Sequence, residues 1–243
     1  MSEQYPIIKG AESFYFKGGR AGVLIIHGFT GSPQAMYPIG KAFADAGYTV
    51  CGPRLKGHGT APEDLEKYTY QDWINSVQEA YSWLEERCDN IFMLGLSMGG
   101  ALTLYTAAKY PLFGIITVNA AVALPEMYKN PKERFIPDDG PDIKKEDAME
   151  ITYEKIPVKS IKELESLIKE TKENLKNITC PVLIFSSEED HVVSSDNAQM
   201  ILEEVSSERK EIVALKDSYH VATLDNDQDL IIKKSLHALQ SWI

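Results

Sequence analysis

The sequence predicts an α/β protein built on a mostly parallel, doubly wound sheet with a small inserted cap. Apolar runs typical of buried strands alternate along the chain with segments whose apolar residues have helical spacing. In "NIFMLGLSMGG", a serine flanked by glycines stands where one predicted strand passes into a helix. The length of 243 residues fits one α/β domain, so we expect a single domain over 1–243.

The predicted strands and helices follow one another in a regular order. The strands are 22–28, 48–53, 90–96, 113–122, 181–187 and 210–216. The helices are 33–47, 72–88, 98–110, a helix within 194–207 capped by Ser194 or Ser195, and 227–242. Crossover helices of this kind cover both faces of a parallel sheet. Residues 5–19 do not alternate with a helix, and we expect them to add an antiparallel hairpin at the sheet edge.

Residues 124–160 interrupt this alternation. The segment carries several prolines and mixed charges, and it is too long for an ordinary connection between two core strands. We interpret it as a cap whose apolar side chains line a pocket, with a partly disordered surface insertion as the alternative. The apolar residues concerned are Met127, Tyr128, Phe135, Ile136, Ile143, Met149, Ile151, Tyr153 and Ile156.

Charge and hydropathy narrow the range of partners. The formal net charge of -11 opposes binding to nucleic acid and to anionic membrane surfaces. We find no basic patch followed by an apolar core in "MSEQYPIIKG", and no stretch approaches 18 uncharged apolar residues. We therefore expect a cytoplasmic protein without a stable membrane anchor or a nucleic-acid partner. The oligomeric state stays open, with a homodimer as one alternative.

The cysteines and histidines do not follow a metal or redox pattern. Three widely spaced cysteines form neither an even disulfide framework nor a C-x-x-C site, and the five histidines lack the H-E-x-x-H spacing. The sequence also contains no nucleotide-binding glycine motif of the P-loop or G-x-G-x-x-G type. We expect no cofactor and no metal.

The glycine-flanked serine is a candidate nucleophile. Gly95, Ser97 and Gly99 fit the G-x-S-x-G pattern, in which a strand turns sharply into a helix and exposes the central side chain. Only a residue as small as glycine avoids the crowding two positions before and after the serine. Because a strand and a helix can meet at such a turn without any chemistry, the interpretation requires an acid and a base elsewhere in the chain.

Both partners follow predicted strands. Asp190 lies in "SSEEDHVVSS" after strand 181–187, and His220 lies in "DSYHVATLDND" after strand 210–216. The carboxyl ends of parallel strands meet at one edge of a sheet, so these loops converge on Ser97. A serine hydroxyl needs an imidazole to take its proton, and a carboxylate holds that imidazole in the right tautomer. The order Ser, Asp, His is that of an α/β-hydrolase triad.

Other residues are candidates for the same roles. Glu188 and Glu189 are alternative acids, although glutamate is the less usual form at this loop. His191 is a rival base, but it adjoins the acid and would point away from the serine. We assign His58 and His237 to structural roles.

Two backbone N–H groups are candidates for stabilising an oxyanion. Met98 follows the nucleophile at a helix N-terminus, and Phe29 lies in "HGFTGS" directly after strand 22–28. Each donor of this type lowers the barrier by roughly 3 kcal/mol. We interpret His27 as a hydrogen-bonded anchor of that loop rather than as a base.

The motifs together resemble those of a known family. "HGFTGS", "PRLKGHGT", "GLSMGGALTLY", "EEDHVV" and "SYHVATLDND" occur in the order and spacing of bacterial monoacylglycerol lipases and carboxylesterases, which are α/β-hydrolases. The resemblance covers essentially the whole chain and implies Ser97, Asp190 and His220 as the triad, with Phe29 and Met98 as oxyanion donors. The cap departs from the family pattern, with "KNPKERFIPDDGPD" in place of a Gly-rich portion.

The resemblance carries one further residue. "EDAMEITYEKIP" is similar to the family segment that supplies a glutamate to the polar glycerol pocket, and Glu150 is the matching position. A solvated cap carboxylate is the alternative. We expect a serine hydrolase that acts on small-molecule esters, above all monoacylglycerols. A short- or medium-chain carboxylesterase, an acyltransferase on the same triad and a non-catalytic binding module are the alternatives.

Overall fold

A seven-stranded sheet forms the centre of the computed structural model, which describes residues 5–243. The strands along the chain are β1 (Phe14–Phe16), β2 (Ala21–Ile26), β3 (Thr49–Gly52), β4 (Asn90–Leu96), β5 (Gly114–Val118), β6 (Phe135–Pro137), β7 (Lys155–Pro157), β8 (Val182–Ser187) and β9 (Lys210–Leu215). β6 and β7 lie outside this sheet. The order across the sheet is β1, β3, β2, β4, β5, β8, β9. β1 pairs antiparallel with β3, and the pairings among the other six are parallel. The predicted mostly parallel sheet is confirmed.

Helices cover both faces of this sheet. They are α1 (Tyr37–Asp45), α2 (Pro62–Leu65), α3 (Tyr70–Glu85), α4 (Met98–Ala107), α5 (Val158–Asn174), α6 (Asp196–Glu204) and α7 (Gln228–Trp242). Successive residues of a strand point to opposite faces. Val23 and Ile25 of β2 therefore share a core with α1 and α7, whereas Leu24 and Ile26 share a core with α3 to α6. The sheet is doubly wound, as predicted.

The N-terminal part of the chain differs from the prediction. The expected antiparallel strand at the sheet edge is present as β1, but the expected hairpin within 5–19 is wrong, because β1 pairs with β3 instead of with a neighbouring segment. Upstream of β1, the Ile8 N–H donates to the Gly59 carbonyl at 2.8 Å, so this stretch bonds to the loop after β3. Residues 1–4, which begin the stretch expected to lack an export signal, lie outside the described residues.

A long helix that the sequence analysis did not assign connects the cap to the sheet. α5 begins at Val158, inside the segment expected as cap, and packs against α4 before the chain enters β8. Its buried face contains Ile161, Leu164, Leu167 and Ile168. This three-to-four-residue spacing is a helical signal in the sequence. It lies beyond the expected cap boundary at 160, in a stretch to which the sequence analysis assigned no element.

Strand β5 ends earlier than predicted. The sequence suggested a strand over 113–122, whereas β5 ends at Val118 and Asn119 adopts φ 47°. This left-handed conformation turns the chain away from the sheet, and asparagine tolerates it better than most residues. The turn leads the chain into the cap.

The cap residues between β5 and α5 are tied to the sheet by specific contacts. β6 and β7 pair antiparallel as a separate two-stranded sheet. The buried Tyr153 hydroxyl donates to the Gly57 carbonyl at 2.7 Å and accepts from the Thr60 N–H at 2.9 Å. Arg134 pairs with Glu66, which follows α2. The cap is thereby joined to the loop after β3.

Candidate active site

Ser97 occupies the sharp turn between β4 and α4. Its backbone has φ 54° and ψ -117°, a strained combination for a non-glycine residue. A Cβ atom at Gly95 would overlap the carbonyl of Gly99, and a Cβ atom at Gly99 would overlap the carbonyl of Ile26. The two glycines are therefore required by the turn itself, and the turn directs Ser97 into a cavity of about 560 Å³.

His220 and Asp190 meet beside that cavity. The Nδ1 atom of His220 lies 2.8 Å from Oδ2 of Asp190, while Oδ1 of Asp190 accepts from the N–H groups of Val192 and Val193 at 2.8 Å each. Burial by itself lowers the pKa of His220, but the charge and hydrogen bond of Asp190 outweigh it, and the pKa lies above its usual value. The contact leaves Nε2 of His220 available for proton transfer, and both His220 and Ser97 line the cavity.

The alternative acids and base make other contacts, although His191 also lines the cavity. Glu189 is 59% exposed and pairs with Lys144, and Glu188 is also exposed. The His191 side chain is 63% exposed, and its Nδ1 atom lies 2.7 Å from Oδ1 of Asp142. Of the three consecutive carboxylates Glu188, Glu189 and Asp190, it is Asp190 that contacts the imidazole of His220.

The loop that carries Phe29 runs alongside Ser97. A Cβ atom at Gly28 would lie 3.5 Å from Cβ of Ser97, so the backbone of this loop passes next to the serine. Phe29 and Met98 both line the cavity. The Phe29 ring packs edge-on against Trp73 and Tyr128, which fixes the loop from the side.

Two buried histidines support the same loop. His27 lies 2.9 Å through Nδ1 from the Gly28 carbonyl and accepts at Nε2 from the Leu55 N–H at 3.2 Å. Burial lowers its pKa to about 4, so the ring is neutral. His58 is also buried and has a lowered pKa, mainly from burial and also from His27. The contacts of His27 are those of a loop anchor.

Glu150 reaches the cavity from the cap. It is half-buried. Its Oε1 atom lies against Gly31, where a Cβ atom would come within 2.6 Å of it. Burial raises its pKa to about 7; the nearby His220 acts in the opposite direction, and Asp138 raises the pKa further. A carboxyl group in this position faces the cavity that contains Ser97.

The cap lines one wall of the cavity, but only some of the apolar residues predicted to line it do so. Of the nine apolar residues named from the sequence, Met127, Tyr128, Ile136 and Ile156 line it. Met149 is 81% exposed, so it lies outside the pocket. The structure adds carboxylates that the sequence analysis had not assigned to the site, namely Asp138, Asp139 and Asp142. The quoted "DDGPD" contained the signal, but only the folded cap places these residues along the cavity.

Asn119 is a second contributor that the sequence analysis missed. Its Nδ2 atom donates to the His220 carbonyl at 2.8 Å and to Oγ of Ser187 at 2.9 Å. Its Oδ1 atom accepts from the Ser187 N–H at 2.8 Å. The side chain therefore joins the ends of β5 and β8 to the loop of His220. An asparagine at a strand end is too common for the sequence to reveal this role.

Within residues 5–243, no three or more His, Cys, Asp or Glu side chains group in a way that could hold a metal ion. No helix in the same range is long and apolar enough to span a membrane.

Comparison with known proteins supplies the family. A family model described as serine aminopeptidase, S33, matches residues 18–137 and 132–227. The chain is 52% identical over 242 residues to a thermostable monoacylglycerol lipase of Bacillus sp. (strain H-257), covering 97% of each protein. It is 31% identical over 228 residues to a carboxylesterase of Bacillus subtilis (strain 168), covering 90% of this chain and 92% of the relative. The resemblance inferred from the motifs is confirmed.

Solved structures agree with the sequence relatives. A metagenome-derived lipolytic enzyme superimposes with a TM-score of 0.94 at 43% identity, covering 97% of this chain and 100% of the other. A monoglyceride lipase from Saccharomyces cerevisiae has the same fold, with a TM-score of 0.78 at 19% identity over 99% of this chain and 94% of the other. The chain therefore belongs to the S33 serine aminopeptidase family of α/β-hydrolases and is a serine hydrolase of that family.

Proposed function

We propose that this protein hydrolyses carboxylic esters, preferentially monoacylglycerols, through an acyl-enzyme on Ser97. The observation that carries the proposal is the 2.8 Å contact between His220 and Asp190 at the wall of the cavity lined by Ser97. The relatives named as a monoacylglycerol lipase and a carboxylesterase support the choice of esters. In this proposal the chain is one domain, and residues 124–160 supply the cap over the site.

Acylation begins at the serine hydroxyl. Oγ of Ser97 attacks the ester carbonyl carbon while Nε2 of His220 takes its proton. Asp190 at Nδ1 holds the ring and stabilises the imidazolium that forms. The N–H groups of Phe29 and Met98 donate to the oxyanion of the tetrahedral intermediate. When the intermediate collapses, the imidazolium gives its proton to the leaving glycerol oxygen, and the acyl group stays on Ser97.

Deacylation repeats these steps with water. His220 removes a proton from the water molecule as its oxygen attacks the acyl carbon, and the same two N–H groups stabilise the second oxyanion. Collapse breaks the bond to Oγ of Ser97, which recovers its proton from the imidazolium. The products are a fatty acid and the free enzyme.

The cavity has both a polar and an apolar part. Carboxyl groups of Asp138 and Glu150 face it, while Met127, Ile136 and Leu164 contribute apolar surface. Its volume of about 560 Å³ is within the range of roughly 300–1,000 Å³ typical of small-molecule sites. One acyl chain with a glycerol headgroup matches this combination, whereas the three chains of a triacylglycerol exceed it.

Compared at equal acyl-chain length, mono-, di- and triacylglycerols are expected to give falling kcat/KM in that order, because each added chain must be placed outside the cavity. We expect at least a tenfold difference between the first and the last, about 1.4 kcal/mol in transition-state binding. The measurement is fatty-acid release from each glyceride in matched detergent micelles, with p-nitrophenyl esters as a headgroup-free reference. Equal rates on mono- and triacylglycerol would contradict the proposed substrate class.

Glu150→Gln and Glu150→Ala are expected to lower kcat/KM roughly tenfold, about 1.4 kcal/mol, on monoacylglycerol alone. A glycerol hydroxyl that bonds to Glu150 loses its partner, whereas a p-nitrophenyl ester of the same acyl chain has no such hydroxyl. Because both substrates use the same triad, their ratio cancels general damage to the site. Parallel losses on both would make Glu150 a structural residue of the cap, and no loss on either would remove it from the site.

We further propose that the enzyme acts in the cytoplasm. Cys51, Cys88 and Cys180 are all free thiols, which fits a reducing compartment. Fractionation of the producing cells, followed by active-site labelling of each fraction, tests this location. Labelled enzyme recovered outside the cytoplasmic fraction would contradict it.

A further inference from the structure

Asp142 of the cap contacts both loops that carry the proposed acid and base. Its Oδ2 atom accepts from the backbone N–H of His191 and from that of His220, each at 3.1 Å. Its Oδ1 atom lies 2.7 Å from Nδ1 of His191. His191 directly follows Asp190, so one carboxylate joins the loop after β8 to the loop after β9. This side chain is only 17% exposed, although the cap segment lies near the surface.

The backbone around Asp142 continues the same connection. The Asp142 carbonyl accepts from the Val221 N–H at 3.1 Å, directly after the proposed base. The buried carboxylate of Asp225 accepts from the N–H groups of Lys144 at 2.8 Å and Tyr219 at 2.9 Å. The cap segment that begins at Asp142 is therefore bonded to the His220 loop on both sides of the imidazole.

We propose that Asp142 is a positioning residue, which holds the His220 loop against the Asp190 loop so that the imidazole stays on its carboxylate. The inference rests on the proposed function, because it gives Asp142 the task of positioning the base of the proposed triad. Proton transfer requires Nε2 of His220 to stay within hydrogen-bond reach of Ser97 while Nδ1 stays on Asp190. A backbone N–H that is fixed at His220 removes one source of motion in that ring, and the chain that fixes it belongs to the cap.

The charge of Asp142 also acts on the imidazole. The charged groups that face His220 are Asp190, Glu150 and Asp142, and each raises its pKa against the lowering effect of burial. His191 is itself exposed and faces Asp142, Asp190 and Glu189, which raise its pKa, chiefly through the hydrogen bond of Asp142. Removing the negative charge at 142 destabilises the imidazolium of His220. The pKa of His220 then falls, and the neutral base persists to lower pH.

The test compares Asp142→Asn and Asp142→Glu with Asp147→Asn, which changes an exposed carboxylate of the same cap segment. Each enzyme is assayed on a p-nitrophenyl ester, and active sites are counted by fluorophosphonate titration so that kcat refers to folded enzyme. Asp142→Asn is expected to lower kcat about tenfold with KM changed less than about twofold, as a small misplacement of the base predicts. The acid limb of its kcat/KM profile moves to lower pH.

Asp142→Glu keeps the charge but moves the carboxylate by one methylene. Its acid limb is expected to stay at the wild-type position, with kcat between the values of wild type and Asp142→Asn. If Asp142→Asn gives no titratable sites, the test rests on Asp142→Glu. A kcat of Asp142→Glu equal to that of the wild type would then overturn the proposal. Asp147→Asn should match wild type throughout.

A purely structural role predicts a different pattern. If Asp142→Asn lowers only the number of titratable sites, while kcat per site and the acid limb match wild type, Asp142 does not position the base. Failure of the proposed function is distinguishable, because wild-type enzyme itself would then neither titrate with the fluorophosphonate nor hydrolyse the ester.

Discussion

Ser97→Ala is expected to lower kcat on p-nitrophenyl and monoacylglycerol esters by about 10⁶-fold, because no other group can form the acyl-enzyme. The fold should be unaffected. Alanine keeps the Cβ atom, so the backbone at φ 54° bears the same strain as in the wild type. The measurement is turnover with each ester, together with labelling by a fluorophosphonate probe that reacts with an activated serine.

Two observations control for indirect effects of that substitution. Circular dichroism and thermal unfolding of Ser97→Ala should superimpose on the wild-type curves. Met98→Ala, one residue further, should keep most activity because the proposed donor is its backbone N–H. A Ser97→Ala enzyme that still labels and turns over would show that the nucleophile lies elsewhere.

His220→Ala is expected to reduce kcat almost as far as Ser97→Ala, because residues that act as a unit lose most of their effect when any one is removed. His191→Ala should change kcat by less than about threefold, since its imidazole bonds to Asp142 and is 63% exposed. Turnover of both variants on one p-nitrophenyl ester makes the comparison. Equal losses would reopen the choice of base.

The pH profile of the wild type gives an independent reading of the same base. His220 must be neutral to accept the proton, so kcat/KM rises as pH passes upward through its pKa. Because Asp190 and the neighbouring carboxylates hold that pKa above the usual value despite burial, the acid limb should lie above the pH expected of an ordinary histidine. The lowered pKa values of His27 and His58 keep both rings neutral across the assay range.

Replacing Asp190 and its neighbour Glu189 in turn tests which carboxylate is the acid. Asp190→Asn should lower kcat by about 10⁴-fold, the size of loss found when a triad acid no longer fixes the imidazole tautomer. Glu189→Gln should leave kcat unchanged, because Glu189 is exposed and pairs with Lys144 on the surface. A larger loss of kcat in Glu189→Gln than in Asp190→Asn would identify Glu189 as the acid.

Local patterns in the sequence were sufficient for most of the framework. Buried parallel strands are continuous apolar runs, so β2, β4 and β8 could be placed within one or two residues. The turn at Ser97 was also predictable, because only glycine at 95 and 99 avoids overlap with nearby carbonyls, and this requirement is visible in the sequence. The chain order of strands then predicted that the loops of Asp190 and His220 converge.

Tertiary contacts decided what local patterns could not. β1 pairs antiparallel with β3 at the edge of the sheet, whereas the sequence suggested a hairpin within 5–19. α5 had readable helical spacing, but its role as a crossover depends on packing against α4.

The same distinction applies within the site. Which of three consecutive carboxylates contacts His220 depends on a turn of a few ångströms, and sequence spacing cannot resolve such a distance. Asp142 is 78 residues from His220 along the chain, and its bond to that residue exists only after the cap has folded onto the sheet. Periodicity reports how a segment packs, whereas hydrogen bonds between distant loops depend on where the whole chain brings them.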